Sequence, residues 1–261
     1  MGVLNVTPDS FSDGGRFLDE TAAISRGLEM ASNGAEVIDV GGESTRPGSE
    51  PVSPDLERQR VVPVISALSG EGLLVSIDTS KPSVAEAALV AGAEIVNDVT
   101  ACSEPGMTDL VAAAGCGLVL MHMQGKPRDM QAAPSYHDVV GEVERFLIER
   151  VSAVSSDGVD PERIVIDPGI GFGKTLEHNL ELLRNLERLT AHAPVVLGTS
   201  RKRFLGTLTG VAEAEDRDLA TAVTTAIGFL RGVRVFRVHD VPSSRQALAV
   251  AAAMVAGGAP A

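Results

Sequence analysis

Arg163-Ile-Val-Ile-Asp-Pro-Gly-Ile-Gly-Phe-Gly-Lys-Thr175 begins as a short β-branched run, Ile164 to Ile166, bounded by turn residues, which is the pattern of a buried strand. The run ends on a carboxylate, Asp167. Gly169, Gly171 and Gly173 follow and allow backbone shapes that other residues resist. Lys174 closes the loop, and a helical pattern starts near Thr175. A Walker A loop needs glycine where Pro168 stands, and a dinucleotide fingerprint needs G-x-G-x-x-G where this loop reads G-x-G-x-G. The stretch is a strand, an acid at its tip, a glycine-rich turn and a cation. A plain βα turn accounts for the glycines, but poorly for Asp167 at a buried strand end.

The same unit of strand, polar loop and amphipathic helix recurs on both sides. Strands are expected at Gly2–Asn5, Glu36–Val40, Leu73–Ile77, Glu94–Val96, Leu118–Leu120, Ile164–Ile166, Pro194–Leu197 and Val233–Phe236. Helices are expected at Thr21–Ser32, from Ser53-Pro54, after Pro82, at Gly106–Ala114 and at His137–Ser155. A further helix runs to about Leu189, one interrupted over Gly206–Arg217 resumes at Asp218–Leu230, and Ser243–Val255 is the last. Eight βα units in 261 residues suit a single-domain α/β TIM (β/α)8 barrel over residues 1–256, with a disordered tail at 257–261. A doubly wound open sheet is the alternative, but it gathers functional loops at one switch point. Here polar groups follow nearly every strand: Asn5, Glu43 to Arg46, Asp78, Asn97, His122, Asp167, Lys202, and Arg237 with His239. In a barrel all of these converge on one mouth.

Formal net charge is −13, which disfavours nucleic acid or an anionic membrane as partner. With no Trp and one Tyr, aromatic contacts with a ligand fall to Phe. Two cysteines, Cys102 and Cys116, point to a reducing, cytoplasmic setting without a disulfide framework. No signal peptide, membrane span or zinc spacing is evident.

The strand-end groups form two sets. Asp78, Asn97 and Asp167 can hydrogen-bond a flat heterocycle along an N–H edge. Each alone is as easily a helix cap; three on one barrel face are less so. Arg46, Lys174, Lys202, Arg237 and His239 form a cationic set against an acidic background, and suggest a phosphate or pyrophosphate. Asn5 and Asp9 offer oxygens for magnesium, which shares phosphate oxygens. The loops after strands 1 and 2 are long, with Gly14-Gly15, Gly41-Gly42 and Gly48 as hinges for mobile lids. Phe11 and Pro47 on those lids, with Phe172, make a shelf for an aromatic co-substrate. His137, His178 and His192 receive no role.

Taken together, the chain resembles the dihydropteroate synthase family. The matching segments are Met1-Gly-Val-Leu-Asn-Val-Thr-Pro-Asp-Ser-Phe-Ser-Asp-Gly-Gly15, Asp39-Val-Gly-Gly-Glu-Ser-Thr-Arg-Pro-Gly48, Ser76-Ile-Asp-Thr79, Asn97-Asp-Val-Thr100, Met121-His-Met-Gln-Gly125, Asp167-Pro-Gly-Ile-Gly-Phe-Gly-Lys174, Ser200-Arg-Lys202 and Arg237-Val-His-Asp240. The resemblance implies condensation of 6-hydroxymethyl-7,8-dihydropterin pyrophosphate with p-aminobenzoate to dihydropteroate and pyrophosphate, in folate biosynthesis. It implies a pterin pocket of Asp78, Asn97, Met121, Asp167 and Lys202. It implies a pyrophosphate site of Asn5, Arg46, Arg237 and His239, with magnesium on Asn5 and Asp9. It implies a p-aminobenzoate site of Phe11, Thr45, Pro47, Phe172 and Lys202. Asp78, Asp167, Lys202, Asp9 and Arg46 would carry the catalysis, without a side-chain nucleophile. Sulfonamides are implied as inhibitors, and a homodimer through late helices, Ala220, Ala222, Val223, Ala226 and Ile227 offering a small apolar face.

Two departures stand out. Family members carry a lead-in before the first strand, where here Met1 almost enters it, so a less fully plugged barrel bottom is expected. Thr100-Ala-Cys-Ser-Glu104 lacks the glycine often found after Asn-Asp-Val-Thr, so a stiffer loop is expected. The competing readings are a non-catalytic pterin-binding paralogue, which would lose lid or pyrophosphate residues, and a methyltransferase pterin domain, which would not need Thr45-Arg46-Pro47.

Overall fold

In the computed structural model, which describes residues 1–7, 16–44, 49–126 and 128–256, strands and helices alternate along the chain. The strands are β1 (Gly2–Asn5), β2 (Ile38–Gly41), β3 (Val75–Asp78), β4 (Ile95–Asp98), β5 (Gly117–Met121), β6 (Ile164–Asp167), β7 (Val196–Leu197) and β8 (Val235–Phe236). The helices are α1 (Arg16–Ser32), α2 (Pro54–Gly70), α3 (Pro82–Val90), α4 (Met107–Ala114), α5 (Val139–Ser156), α6 (Leu176–Arg184), α7 (Leu186–Thr190), α8 (Arg203–Thr209), α9 (Asp218–Leu230) and α10 (Val241–Ala256).

Strands β1 to β6 pair in parallel in sequence order, as do β7 and β8. Two parallel bridges join the two groups, Ile166 to Val195 and Gly2 to Val238. The Val3 amide donates to the Val238 carbonyl at 2.9 Å, and the Ile166 amide to the Pro194 carbonyl at 2.9 Å. Every strand therefore has a neighbour on both sides, the ring is closed, and the open-sheet alternative is excluded. The fold is a TIM barrel, whose functional face lies at the C-terminal strand ends.

Register explains which residues reach that face. Asn5, Gly41, Asp78 and Asn97 lie side by side on one level across β1 to β4, and Met121 is level with Asp167 across β5 and β6. Side chains alternate along a strand. Leu4, Ile38, Val40, Ile77, Val96, Leu118, Leu120, Ile164 and Ile166 belong to the continuous apolar core. Their neighbours of opposite parity face the barrel interior.

The boundaries differ from the sequence expectation in instructive ways. Gly41, Asp78, Asp98, Met121 and Asp167 are held inside the strands by cross-strand pairing, so the acids sit in the ladder rather than just beyond it. The helix expected to run to Leu189 breaks into α6 and α7 at Asn185, whose Nδ2 donates to the Glu181 carbonyl at 2.9 Å and competes with the helical pattern. The interruption after α8 is shorter than expected, since α8 passes Gly206 and ends at Gly210 in a left-handed conformation. Ser53 caps α2 as expected, accepting from the Leu56 amide at 3.3 Å with Pro54 at the first helical position. His178 completes a capping box with Thr175 at the start of α6, and His192 Nε2 lies 2.9 Å from Glu144.

Candidate active site

Four strands supply one ionic network at the barrel mouth. Arg237, just past β8, donates from Nε to Asp39 Oδ2 at 2.6 Å and from Nη2 to Asp78 Oδ2 at 2.6 Å. Asn97 Nδ2 donates to the same Asp39 oxygen at 3.1 Å. Asp39 was assigned no role from the sequence, although it opens the second matching segment. It lies on β2 two residues before Gly41, at 0% exposure, so parity sends it inward below Asp78. Its Oδ1 and the hydroxyl of Ser76, its register partner, have no protein hydrogen-bond partner. The floor of the mouth is thus polar and under-satisfied, which is where a ligand with hydrogen-bonding edges gains most.

The second half of the site lies across β6 and β7. Asp167 Oδ1 accepts from the Gly169 amide at 2.7 Å. Lys202 Nζ donates to the Ile170 carbonyl and stands 4.6 Å from the centre of the Phe172 ring. Gly198 at the end of β7 shows how these groups converge: a Cβ there would lie 3.8 Å from Asp167 Oδ2, 3.8 Å from Lys202 Nζ and 3.9 Å from Arg237 Cβ. Gly41 does the same on the other wall, 3.7 Å from Asp78 Oδ2 and 3.8 Å from Asn5 Oδ1. These two glycines keep the floor open. Gly198 could have been flagged from the sequence as a glycine at a strand end, but only the register says what it faces. Met121 is buried at the tip of β5, and Ser200 Oγ lies 2.9 Å from His239 Nδ1 beside the β8 end.

The buried charges shift one another. Burial raises the Asp78 carboxyl from 3.8 to about 7, although the Arg237 guanidinium pulls it down. Burial also raises Asp167, against the opposing pull of Lys202. The Lys202 ammonium is lowered to about 8 by burial, with Asp167 resisting. Asp78, Asp167 and Lys202, each displaced toward neutrality beside an Arg237 held charged by its carboxylates, point to a functional site.

Several sequence expectations are corrected. Lys174 does not offer its charge to a ligand. It is 2% exposed, and its Nζ donates to the carbonyls of Gly169 at 2.9 Å and Phe172 at 3.0 Å, and lies 3.0 Å from His122 Nδ1. Burial lowers it to about 7 and lowers His122 to about 3, so this histidine is a neutral strut between β5 and the β6 loop. The glycines cause this. A Cβ on Gly169 would fall 1.8 Å from the His122 carbonyl, and Gly169 and Gly173 both have φ above +60°, which lets the loop close over the lysine. The other loop carbonyls are also taken, that of Gly171 by Gln131 and that of Gly173 by Tyr136 at 2.9 Å.

Gly41 and Gly42 are not lid hinges. Gly41 is inside β2, and a Cβ on Gly42 would lie 2.8 Å from Val61, so close packing of α2 on the strand requires it. Glu43 is paired with Lys81 Nζ at 2.5 Å rather than left for a ligand. The loop after β4 does carry a cost for its missing glycine: Ala101 and Cys102 have φ of +54° and +57°. Asp98 accepts from the Thr100 and Cys102 amides at 2.7 and 2.9 Å, and Arg150 donates to the Ala101 and Cys102 carbonyls at 2.9 and 3.1 Å. Asp9, Phe11, Thr45, Arg46 and Pro47, with Gly14, Gly15, Gly48 and the tail at 257–261, lie outside the described residues.

A larger cavity, about 580 Å³, lies on the outside of the barrel among α6, α8 and α9, lined by Leu183, Leu205, Leu208, Leu219, Val223 and Ile227. At the mouth, a smaller one of about 110 Å³ is bounded by Asp78, Lys81, Glu43, Glu57, Thr100 and Met123. Size does not select the site here. The outer groove is mainly apolar, and of its charged lining residues Arg217 is tied to backbone carbonyls and Arg231 to Glu187.

The family described as "Pterin binding enzyme" matches residues 1–239. The dihydropteroate synthase of Mycobacterium leprae is 48% identical over 99% of this chain and 94% of its own length. A solved structure of Xanthomonas albilineans dihydropteroate synthase with 4-aminobenzoic acid superposes with a TM-score of 0.93 at 47% identity, covering 98% of this chain and 92% of the other. One of the Yersinia pestis enzyme in a sulfonamide drug complex gives 0.93 at 39%, covering 98% and 94%.

Proposed function

The chain belongs to the pterin binding enzyme family, and we propose that its barrel mouth makes dihydropteroate. It is a transferase. It joins 6-hydroxymethyl-7,8-dihydropterin pyrophosphate to p-aminobenzoate, releasing pyrophosphate, a step of folate biosynthesis. The observation that carries this reading is the convergence of Asp78, Asp167, Lys202 and Arg237 around two strand-end glycines, with Asn97 level with Asp78, in a chain so close to known synthases.

Asp78, Asn97 and Asp167 hold the pterin by its N–H edge, with Met121 against the ring and Lys202 at its rim. Arg237 is committed to two carboxylates in this state. A pterin that takes over Asp78 leaves Arg237 on Asp39 alone and frees Nη2 for pyrophosphate, beside His239, Asn5 and Arg46. The carbon–oxygen bond to pyrophosphate then breaks. The delocalised pterin cation is stabilised by Asp78 and Asp167. The arylamine, seated among Phe11, Thr45, Pro47, Phe172 and Lys202, forms the new carbon–nitrogen bond and loses a proton. No protein nucleophile takes part.

Among the described residues no group of three His, Cys, Asp or Glu forms a cation cage. Magnesium takes few protein oxygens and shares phosphate oxygens, and Asn5 and Asp9 would hold it. When bound, the ion offsets charge on the departing pyrophosphate. Sulfonamides compete for the p-aminobenzoate seat. Among the described residues no helix is long and apolar enough to cross a membrane, and two buried thiols suit the cytoplasm. Residues 1–256 act as one domain. The exposed stripe of Leu219, Val223, Ile227 and Leu230 on α9 supports a homodimer. Ala222, expected to be part of that face, is buried.

The test is pyrophosphate release with magnesium, with and without p-aminobenzoate. Release that depends on p-aminobenzoate, with dihydropteroate formed, is expected. Tight pterin binding without turnover would instead indicate a non-catalytic paralogue.

A further inference from the structure

Arg201, in the Ser200-Arg-Lys202 segment, is not used by the chemistry above. Its φ is +60°. It is the third residue of a turn closed by the Lys202 amide donating to the Thr199 carbonyl at 3.2 Å, a position where glycine is usual. A long side chain persists there only when the surroundings over-determine it, and four of Arg201's polar groups are held by the start of a single helix, α9. Its Nε and Nη2 donate to the two oxygens of Asp218 at 2.8 and 2.7 Å. Its amide donates to Thr221 Oγ1 at 3.1 Å, and its carbonyl accepts from Arg217 Nη1 at 3.0 Å. Arg217, Asp218 and Thr221 span the entry and first turn of α9. The residues on either side point the other way: Ser200 reaches His239, and Lys202 reaches the Ile170 carbonyl and the Phe172 ring.

We infer that Arg201 and Asp218 are positioning residues: their paired fork fixes the left-handed turn that delivers Lys202 to the mouth. The β7 end is thereby referenced to α9 rather than to its own short helix. This rests on the placement of Lys202 in the pterin pocket.

The test is calorimetric binding of 6-hydroxymethyl-7,8-dihydropterin pyrophosphate, without p-aminobenzoate, to Asp218→Asn, Arg201→Gly and Lys202→Ala, and to the double variant Asp218→Asn with Lys202→Ala. Arg201→Gly removes the fork but suits a positive φ, so the variant folds. Asp218→Asn and Arg201→Gly are each expected to weaken binding about ten-fold, the size of a misplacement of under 1 Å. Melting temperatures should not track the loss. In the Lys202→Ala background, Asp218→Asn is expected to add less than about two-fold, because the group it positions is gone. Equal weakening by Asp218→Asn in both backgrounds would overturn the inference, as would binding unchanged by Asp218→Asn while Lys202→Ala weakens it. If Lys202→Ala alone leaves binding unchanged, the placement of Lys202 fails, and the inference with it.

Discussion

Asp78→Asn should make the protein more stable and nearly inactive. Burial holds the Asp78 carboxyl up from 3.8 to about 7. At 1.36 kcal/mol per pH unit, keeping it charged above pH 7 costs the fold about 4 kcal/mol. The sign follows from its folded value lying above its unfolded one. The stability it contributes is present below about pH 4 and is lost as pH rises through about 7. That cost is already net of the Arg237 attraction, and Asp78→Asn removes it. Arg237 is not stranded, because its Nε keeps Asp39 at 2.6 Å. The variant should therefore be more stable at pH 8 by up to about 4 kcal/mol, visible as a melting temperature higher by about 2–4 °C per kcal/mol. The advantage should shrink to about 1–2 kcal/mol at pH 5, where only the unfolded chain still carries the charge, and vanish below about pH 4. Dihydropteroate formation should fall about 100-fold or more, since the charge facing the pterin cation is gone. Thermal melts at both pH values and a product assay decide it. A variant more than about 2 kcal/mol less stable at pH 8 would refute the reasoning, and Asp78 would then be a structural counter-ion of Arg237.

Burial lowers Lys174 from 10.5 to about 7, so the unfolded chain binds more protons between those values and stability should rise with pH from about 7 to 10. Urea midpoints of Lys174→Met should show a shallower rise than the parent, the remaining slope coming from Lys202. Arg150→Ala frees the carbonyls of Ala101 and Cys102, both at positive φ, and should cost about 2–3 kcal/mol in chemical denaturation, with Ala101→Gly recovering part of the loss in that background. Val223→Asp on the exposed stripe of α9 should give monomers by light scattering if the stripe is the dimer face; an unchanged oligomer would move the interface elsewhere.

The repeating strand–helix units, the closed barrel as the better architecture, and the acids and amides of the mouth were legible in the chain alone. These are local signals. A two-residue period says which side chains face inward, glycines mark turns, and Asp167 after Ile-Val-Ile can only lie at a strand tip. The family resemblance added the substrates, which no spacing of residues encodes. The rest depends on partners far apart in the chain. Arg237 and Asp39 are separated by 198 positions, so nothing local distinguishes Asp39 from a core-strand acid or warns that Arg237 is already paired. Lys174 and His122, 52 positions apart, read as mouth groups until the Gly169 turn is seen folding one onto the other. Gly41 reads as a hinge until β2 runs through it, and Gly42 until α2 is packed against it. The left-handed turn at Arg201 is invisible in Ser-Arg-Lys, because α9 imposes it from outside. Local chemistry placed charges at the mouth; packing decided which of them are spent on each other and which remain for a ligand.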